Sequence, residues 1–219
     1  MTRTGKFITF EGLDGSGKST QMALAQERLK AAGVKVAATR EPGGTELGRR
    51  IRRLVLDAHT LDISPVAELG LMCSARAQHV EELILPALRS GVVVLCDRFA
   101  DSTVAYQGYG RGLPLQLVND LYRALSGGLQ PDLTLIFDID AATAVARTAA
   151  RNRGSGEAAT RFEREDEAFF RRVREGYLAI ARAEPERVRL LDGRGSIEEV
   201  ERAARACIEE CLRMAPRAI

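Results

Sequence analysis

Short, β-branched apolar runs alternate along the chain with longer stretches in which apolar residues recur at helical spacing. The runs at 7–10, 34–38, 92–96, 133–138 and 188–191 predict strands, and helices are expected over 18–31, 46–57, 65–89, 114–126, 141–151, 164–183 and 197–213. Helical spacing is clearest where Leu69, Met72 and Cys73 follow one another, and again at Leu117, Leu121 and Leu125. The strand runs are apolar throughout, the mark of strands buried on both faces. With helices between them they predict an α/β fold, a five-stranded parallel sheet flanked by helices. There is no internal repeat and no Pro-rich linker, and 219 residues suit a single domain over 1–219. One stretch breaks the pattern: 152–160 is small and glycine-rich between two arginine-laden helices, a passive surface connection or a mobile lid.

Composition narrows the class. With 45% apolar and 28% charged residues the chain reads as globular, and its apolar runs are far too short for a membrane helix. The opening Met-Thr-Arg-Thr-Gly-Lys-Phe lacks the apolar core of a secretory signal, so the cytoplasm is the expected compartment. Thirty-two basic against 30 acidic side chains are too balanced to mark the whole chain as a nucleic-acid binder. Only Lys6, Lys18, Lys30 and Lys35 are lysines, which makes Lys18 worth noticing in an arginine-rich chain. Cys73, Cys96, Cys207 and Cys211 form no Cys-x-x-Cys pair and have only His59 and His79 to join them. Buried small side chains are the expected reading, rather than a zinc site or a disulfide framework.

Residues 12–19, Gly-Leu-Asp-Gly-Ser-Gly-Lys-Ser, fit Gly-x-x-x-x-Gly-Lys-[Ser/Thr] between a predicted strand and a predicted helix. Glycines let the backbone curl so that its N–H groups face phosphate oxygens, and the helix adds its positive N-terminal end. Lys18 can reach the β- and γ-phosphates, and the Ser19 hydroxyl can ligate Mg²⁺. GTPase switches usually read guanine with Asn-Lys-x-Asp, and no lysine follows Lys35; motor-type ATPases are normally larger. A small nucleotide or metabolite kinase fits best.

Further chemistry falls where strands end, the edge at which parallel sheets bind ligands. Thr39-Arg40-Glu41-Pro42-Gly43-Gly44-Thr45 follows the second strand, Asp97-Arg98-Phe99 the third, and Ser102-Thr103-Val104-Ala105-Tyr106-Gln107-Gly108 comes soon after. Arg40 and Arg98 are guanidinium forks suited to phosphate, and Asp97 ends its strand where P-loop proteins place a carboxylate near the metal.

On these motifs, with Phe10 to Thr20, Arg111-Gly112 and Pro131-Asp132-Leu133, the sequence resembles the thymidylate kinases over most of its length, in the type that carries lid arginines. The resemblance implies the P-loop nucleoside monophosphate kinase fold and transfer of the γ-phosphoryl of ATP, with Mg²⁺, onto dTMP to give dTDP for dTTP and DNA synthesis. It implies that Gly12, Leu13, Asp14, Gly15, Ser16, Gly17, Lys18, Ser19 and Thr20 hold ATP, with Arg147 and Arg194 near the adenine and Ser19 and Asp97 at the metal. Asp14 would hold the 3′-hydroxyl of the deoxyribose, Arg40 and Arg98 the 5′-phosphate, and Arg76 the thymine O4 edge. Ser102, Thr103 and Gln107 fall in the stretch that contacts the acceptor, and Tyr106 packs under the sugar. Family members typically stack a phenylalanine on thymine four residues before the base-reading arginine; here that position is Met72, a looser fit that implies weaker affinity or selectivity for the pyrimidine.

In this family the arginine that stabilises the transferring phosphoryl comes from the phosphate loop or from the lid. Leu13, Asp14, Gly15 and Ser16 include no basic residue, which assigns the role to the lid, about 151–162: Arg153 first, then Arg161 and Arg151. With Lys18, Arg98 and Asp14 they make up the catalytic set. Arg164, Arg171, Arg172 and Arg174 alternate with Glu163, Glu165 and Glu175 and read as a solvated face. No general base is required, because the acceptor phosphate is already ionised near neutral pH. Relatives imply a homodimer through the helix at 65–89 and its neighbours. Two other readings stay open: a kinase of another nucleoside monophosphate, or a regulatory nucleotide-binding protein without turnover. Lys18, Ser19, Arg40, Arg98 and the lid arginines speak against the second.

Overall fold

The computed structural model describes residues 4–57, 62–155 and 160–217; His59 and residues 156–159 of the expected lid lie outside them. Strands β1 (Phe7–Glu11), β2 (Val36–Arg40), β3 (Val93–Asp97), β4 (Leu133–Asp138) and β5 (Val188–Asp192) form one sheet, all parallel, in the order β2-β3-β1-β4-β5. Every residue of β1 and β3 is buried, as uninterrupted apolar runs require when helices cover both faces. The chain leaves β1 toward β2 and leaves β4 toward β5, in opposite directions. This opens a crevice at the carboxyl edge. Register lines up the site there: Phe10 and Arg40 both stand opposite Asp97.

Helices α1 (Lys18–Ala31), α2 (Glu46–Leu56), α3 (Pro65–His79), α4 (Leu85–Arg89), α5 (Ala100–Thr103), α6 (Leu115–Ser126), α7 (Ala141–Ser155), α8 (Glu167–Ala183) and α9 (Ile197–Arg213) surround the sheet. Their starts follow capping chemistry. The Thr45, Ser64 and Asp166 side chains accept from the backbone N–H three residues on, and Ser196 with Glu199 makes a capping box. One face of the sheet packs Phe10, Leu95 and Leu135 against Leu29, Val200 and Ile208 of α1 and α9. On the other side Ile136 joins Phe169, Val173 and Tyr177 of α8, and Cys96 joins Ile84 and Leu88.

The expected helix over 65–89 is not continuous: a π-helical turn, Val80–Ile84, separates α3 from α4. Pro86 explains the break, since its ring crowds the carbonyl of the preceding turn and it has no N–H to return. A second π-helical segment, Val104–Gly110, extends α5, where the sequence predicted no element because its residues lack apolar periodicity. Close packing on α8 holds it: a Cβ at Gly110 would lie 2.7 Å from Phe169. The second strand runs two residues further than expected, so Arg40 is its last residue. Among the described residues no disulfide joins the cysteines, and Cys73, Cys96 and Cys211 are buried.

Candidate active site

Residues 12–17 turn from β1 into α1 as the phosphate-loop pattern requires. Gly12 has φ 134°, and a Cβ there would meet the Phe137 carbonyl at 2.6 Å. The Leu13 side chain is buried in the core and anchors the loop from beneath. Lys18 is buried, and its Nζ donates to Asp14 Oδ1 at 3.2 Å and to the Leu13 carbonyl at 3.4 Å. Ser19 Oγ donates to Asp97 Oδ2 at 2.6 Å, while buried Asp97 Oδ1 has no hydrogen-bond partner among the described residues. A hydroxyl beside an unsatisfied carboxylate oxygen is the hard donor set that Mg²⁺ takes, so the residues fit that ion. Thr20 is exposed on the first turn of α1.

A cleft of about 370 Å³ opens beside the loop at the carboxyl edge of the sheet. All nine expected acceptor residues line it: Asp14, Arg40, Met72, Arg76, Arg98, Ser102, Thr103, Tyr106 and Gln107. Arg98 has a left-handed backbone, φ 68°, and its N–H donates to the Phe10 carbonyl at 3.0 Å, which turns the side chain back over the edge. Its guanidinium lies 4.9 Å from the Tyr106 ring centroid and donates to Asp14 at 2.8 Å and to Tyr106, Ser102 and Tyr177 at 3.1 Å each. Burial alone would raise the Asp14 carboxyl, but the charges of Arg98 and Lys18 and hydrogen bonds from both outweigh it and hold it well below the usual carboxylate range. Arg40 is exposed. Arg52, which the sequence did not single out, joins it from α2 and lines the same cleft, its Nη1 on the Pro42 carbonyl at 3.3 Å. Burial and the like charges of Arg40 and Arg98 lower its affinity for its proton. Three guanidiniums thus converge where an anion would relieve their repulsion.

Deeper in the cleft, Arg76 Nε donates to Glu41 at 2.7 Å, and Nη2 donates to the Phe99 carbonyl at 3.0 Å and Thr103 Oγ1 at 2.8 Å. Among the described residues, buried Nη1 is left without a partner. Glu41 also pairs with His79 Nδ1 at 2.9 Å, whose other ring nitrogen meets Thr39 Oγ1 at 2.7 Å. Gln107 Nε2 donates to Glu68 at 2.7 Å, and Gln107 Oε1 is buried without a partner among the described residues. Met72, one helical turn before Arg76, faces the cleft, while Cys73 turns into the core with Leu69 and Val118.

Beneath Arg98 lies a carboxylate that the sequence reading passed over. Glu11 is fully buried and accepts from the Phe99 N–H at 2.7 Å, from Ser102 and from Tyr177 at 3.2 Å. Burial, with the nearby charge of Asp101, pushes it up to about 7 from an ordinary 4.5, against the opposing pull of Ser102, Arg98 and the Phe99 N–H. Asp101 itself is clamped by Arg187 at 2.7 and 2.8 Å.

The basic residues around the lid divide. Arg147 Nη1 donates to the Gly15 carbonyl at 3.4 Å and the Gly193 carbonyl at 3.0 Å, bridging the phosphate loop and the turn after β5. Arg194 is exposed and paired with Asp192 at 2.8 Å. Arg151 lines the cleft and donates to Glu163 at 2.8 Å. Arg153 is exposed near the end of α7 with no polar partner among the described residues. Arg161 is drawn inward: Nε donates to the Val55 carbonyl at 3.0 Å, and Nη2 pairs with Glu68. The solvated face is narrower than expected. Arg171 pairs with Glu167 in solvent, but Arg172 reaches the Gly110 carbonyl and Arg174 takes Asp138 at 2.7 Å through two bonds, because α8 packs close enough for long side chains to reach back.

A raised carboxyl means that folded protein keeps a proton which the unfolded chain has released between pH 4.5 and 7, so Glu11 lowers stability as pH rises through that window. In urea titrations, the stability of wild type relative to Glu11→Gln is expected to fall across it and level off above it. A difference that stays constant with pH would contradict the burial assigned to Glu11.

The thymidylate kinase family model matches residues 10–204. A thymidylate kinase of Geobacter sp. (strain M21) is 49% identical over 210 residues, 95% of this chain and 92% of the relative. One from Citrifermentans bemidjiense is 50% identical over 89% of this chain and 87% of its own length. The crystal structure of thymidylate kinase from Ehrlichia chaffeensis superposes with a TM-score of 0.73 at 35% identity, covering 94% of this chain and 98% of that one. The phosphate loop, the arginine cluster and the cleft beside them therefore sit in a chain that belongs to the thymidylate kinase family.

Proposed function

We propose that the chain, as one domain over 1–219, transfers the γ-phosphoryl group of ATP to the 5′-phosphate of dTMP, giving ADP and dTDP for dTTP and DNA synthesis. The observation that carries this reading is the juxtaposition of a phosphate loop with a cleft holding three guanidiniums at one end and two unpartnered buried atoms, Arg76 Nη1 and Gln107 Oε1, at the other. Phosphate oxygens suit the first and a pyrimidine edge the second. Gly12 to Thr20 cradle ATP, with Arg147 and Arg194 toward the adenine. Arg40, Arg52 and Arg98 grip the acceptor phosphate, Arg76 reads the base, and Asp14 and Tyr106 flank the sugar. Lys18, now on Asp14, exchanges that carboxylate for a phosphate oxygen when ATP enters. Ser19 and Asp97 would hold Mg²⁺, which when bound neutralises charge on the phosphates of ATP.

No described helix is long and apolar enough to cross a membrane. We assign the enzyme to the cytoplasm, where the ATP it consumes is made, and we read it as a homodimer. Leu47 and Leu54 on α2, Val66 on α3 and Leu115 on α6 are exposed apolar side chains on helices that pack on one another, and a sedimentation mass of one chain would remove that reading.

The direct test is ADP release from ATP and Mg²⁺ with dTMP, dUMP, dCMP, dGMP, AMP or no acceptor. Turnover is expected to be strongest on dTMP and lost in Lys18→Ala, and Met72→Phe is expected to lower the KM for dTMP by stacking a ring on the base. Preference for another acceptor overturns the substrate, and silence with every acceptor overturns the kinase reading.

Among the lid arginines, Arg153 has no carboxylate partner among the described residues, whereas Arg151 and Arg161 are engaged. Arg153→Ala is expected to reduce kcat by about 10³-fold with little change in the KM for dTMP. Turnover within a few-fold of wild type would move the role to Arg151, which already faces the cleft.

A further inference from the structure

Glu68 is fully buried on α3, one turn before Met72 and two before Arg76, and it touches three side chains from two other parts of the chain. Arg161 Nη2 pairs with Oε2; Arg111 Nε reaches Oε1 at 3.3 Å; Gln107 Nε2 donates to Oε1 at 2.7 Å. Two guanidiniums pair with this carboxylate, and a carboxylate paired in this way only accepts hydrogen bonds. The Gln107 amide is therefore not free to choose its orientation. Its NH₂ must face Glu68, because the reversed amide would set oxygen against oxygen. The consequence is visible on the far side of the amide, where Oε1 of Gln107, a residue that lines the cleft, is buried without a partner among the described residues. Arg76 is treated the same way by Glu41, which takes Nε and leaves Nη1 as the unpartnered donor.

We infer that Glu68 is a positioning residue for base selection: by accepting from Gln107 Nε2 it fixes Gln107 Oε1 as an acceptor in the cleft, aimed at an N–H donor of the incoming base. Beside the Arg76 donor, this acceptor matches the O4 and N3–H edge of a thymine-type base. It opposes a cytosine edge, where an amino donor and a bare ring nitrogen take those places. The inference rests on the proposed dTMP acceptor. Substituting Glu68 by glutamine reverses the amide. The carboxamide oxygen of the new side chain stays with Arg161, its NH₂ turns to Gln107, and Gln107 must present Oε1 back to it and Nε2 to the base.

The test is a cycle between Glu68→Gln and the ligand, read as kcat/KM for dTMP and for N3-methyl-dTMP, in which a methyl group replaces the N3 hydrogen and both carbonyls are kept. Wild type is expected to prefer dTMP by at least about tenfold, the worth of one buried hydrogen bond. Glu68→Gln is expected to lose about tenfold on dTMP and nothing on N3-methyl-dTMP. Equal losses on both acceptors would mean that Glu68 only supports the structure, and no loss on either would mean that the amide orientation is set elsewhere; each overturns the inference. Absence of wild-type turnover on dTMP retires the substrate reading itself before any variant is compared. If Glu68→Gln does not fold, the wild-type complex decides by NMR. Gln107 side-chain amide protons with NOEs to Glu68 Hγ and none to the base support the inference, and NOEs from those protons to the bound base overturn it.

Discussion

Asp14 holds two cations at once, and the geometry of the site follows from that. Lys18 comes from the start of α1 and Arg98 from the end of β3, and each is within 3.2 Å of the same carboxylate oxygen. Neither cation has much contact with water, since the side chains of Lys18 and Arg98 are 7% and 16% exposed. Burying a charge without a counter-charge costs several kcal/mol, so the loop carboxylate keeps both cations in place before any phosphate arrives. It also ties the phosphate loop to the neighbouring strand, so the loop and the cleft beside it share one sheet edge. Arg98 accepts a left-handed backbone to take part, and its N–H on the Phe10 carbonyl fixes that turn to the central strand.

The same device recurs behind the rest of the cleft. Glu41 backs Arg76, Glu68 backs Gln107, and Glu11 backs Ser102, which in turn accepts from Arg98. Glu41 and Glu68 each consume a donor on the protein side and leave one buried atom, Arg76 Nη1 and Gln107 Oε1, without a partner among the described residues. Rigidity of this kind suits phosphoryl transfer, in which positioning and charge do most of the work. Glu11 differs from the others: it has no arginine directly on its oxygens and stands near Asp101, so burial prevails and raises its proton affinity. Glu68 also accepts Arg161, which roots the end of the lid segment on α3 beside the cleft.

Strand runs, the phosphate loop and the strand-end arginines were legible because they rest on local pattern. An apolar run predicts a buried strand, and a residue just past it must lie at the sheet edge. The Val104–Gly110 segment was not legible, because what holds it helical is the close approach of α8, more than sixty residues on. The acidic residues behind the site were hidden for a related reason. Glu11 meets Tyr177 across 166 positions, and Arg161 meets Glu68 across 93. Charge count alone does not distinguish an arginine held by a buried carboxylate from one left in solvent. Hence the sequence ranked Arg153 ahead of Arg161 without showing that a buried carboxylate holds Arg161, whereas Arg153 has no such partner among the described residues. Arg52 was overlooked because it lies inside a run of arginines on α2, and only the fold shows that it turns toward the cleft.

The account turns on a cation cluster arranged for an acceptor phosphate. Calorimetric titration with dTMP and with thymidine, which differ only in that phosphate, tests it most directly. Charge-assisted contacts from two or more guanidiniums predict that dTMP binds at least about a hundredfold more tightly than thymidine. Equal affinities would contradict the role given to Arg40, Arg52 and Arg98, and with it the reading of the sheet edge as a site for phosphoryl transfer.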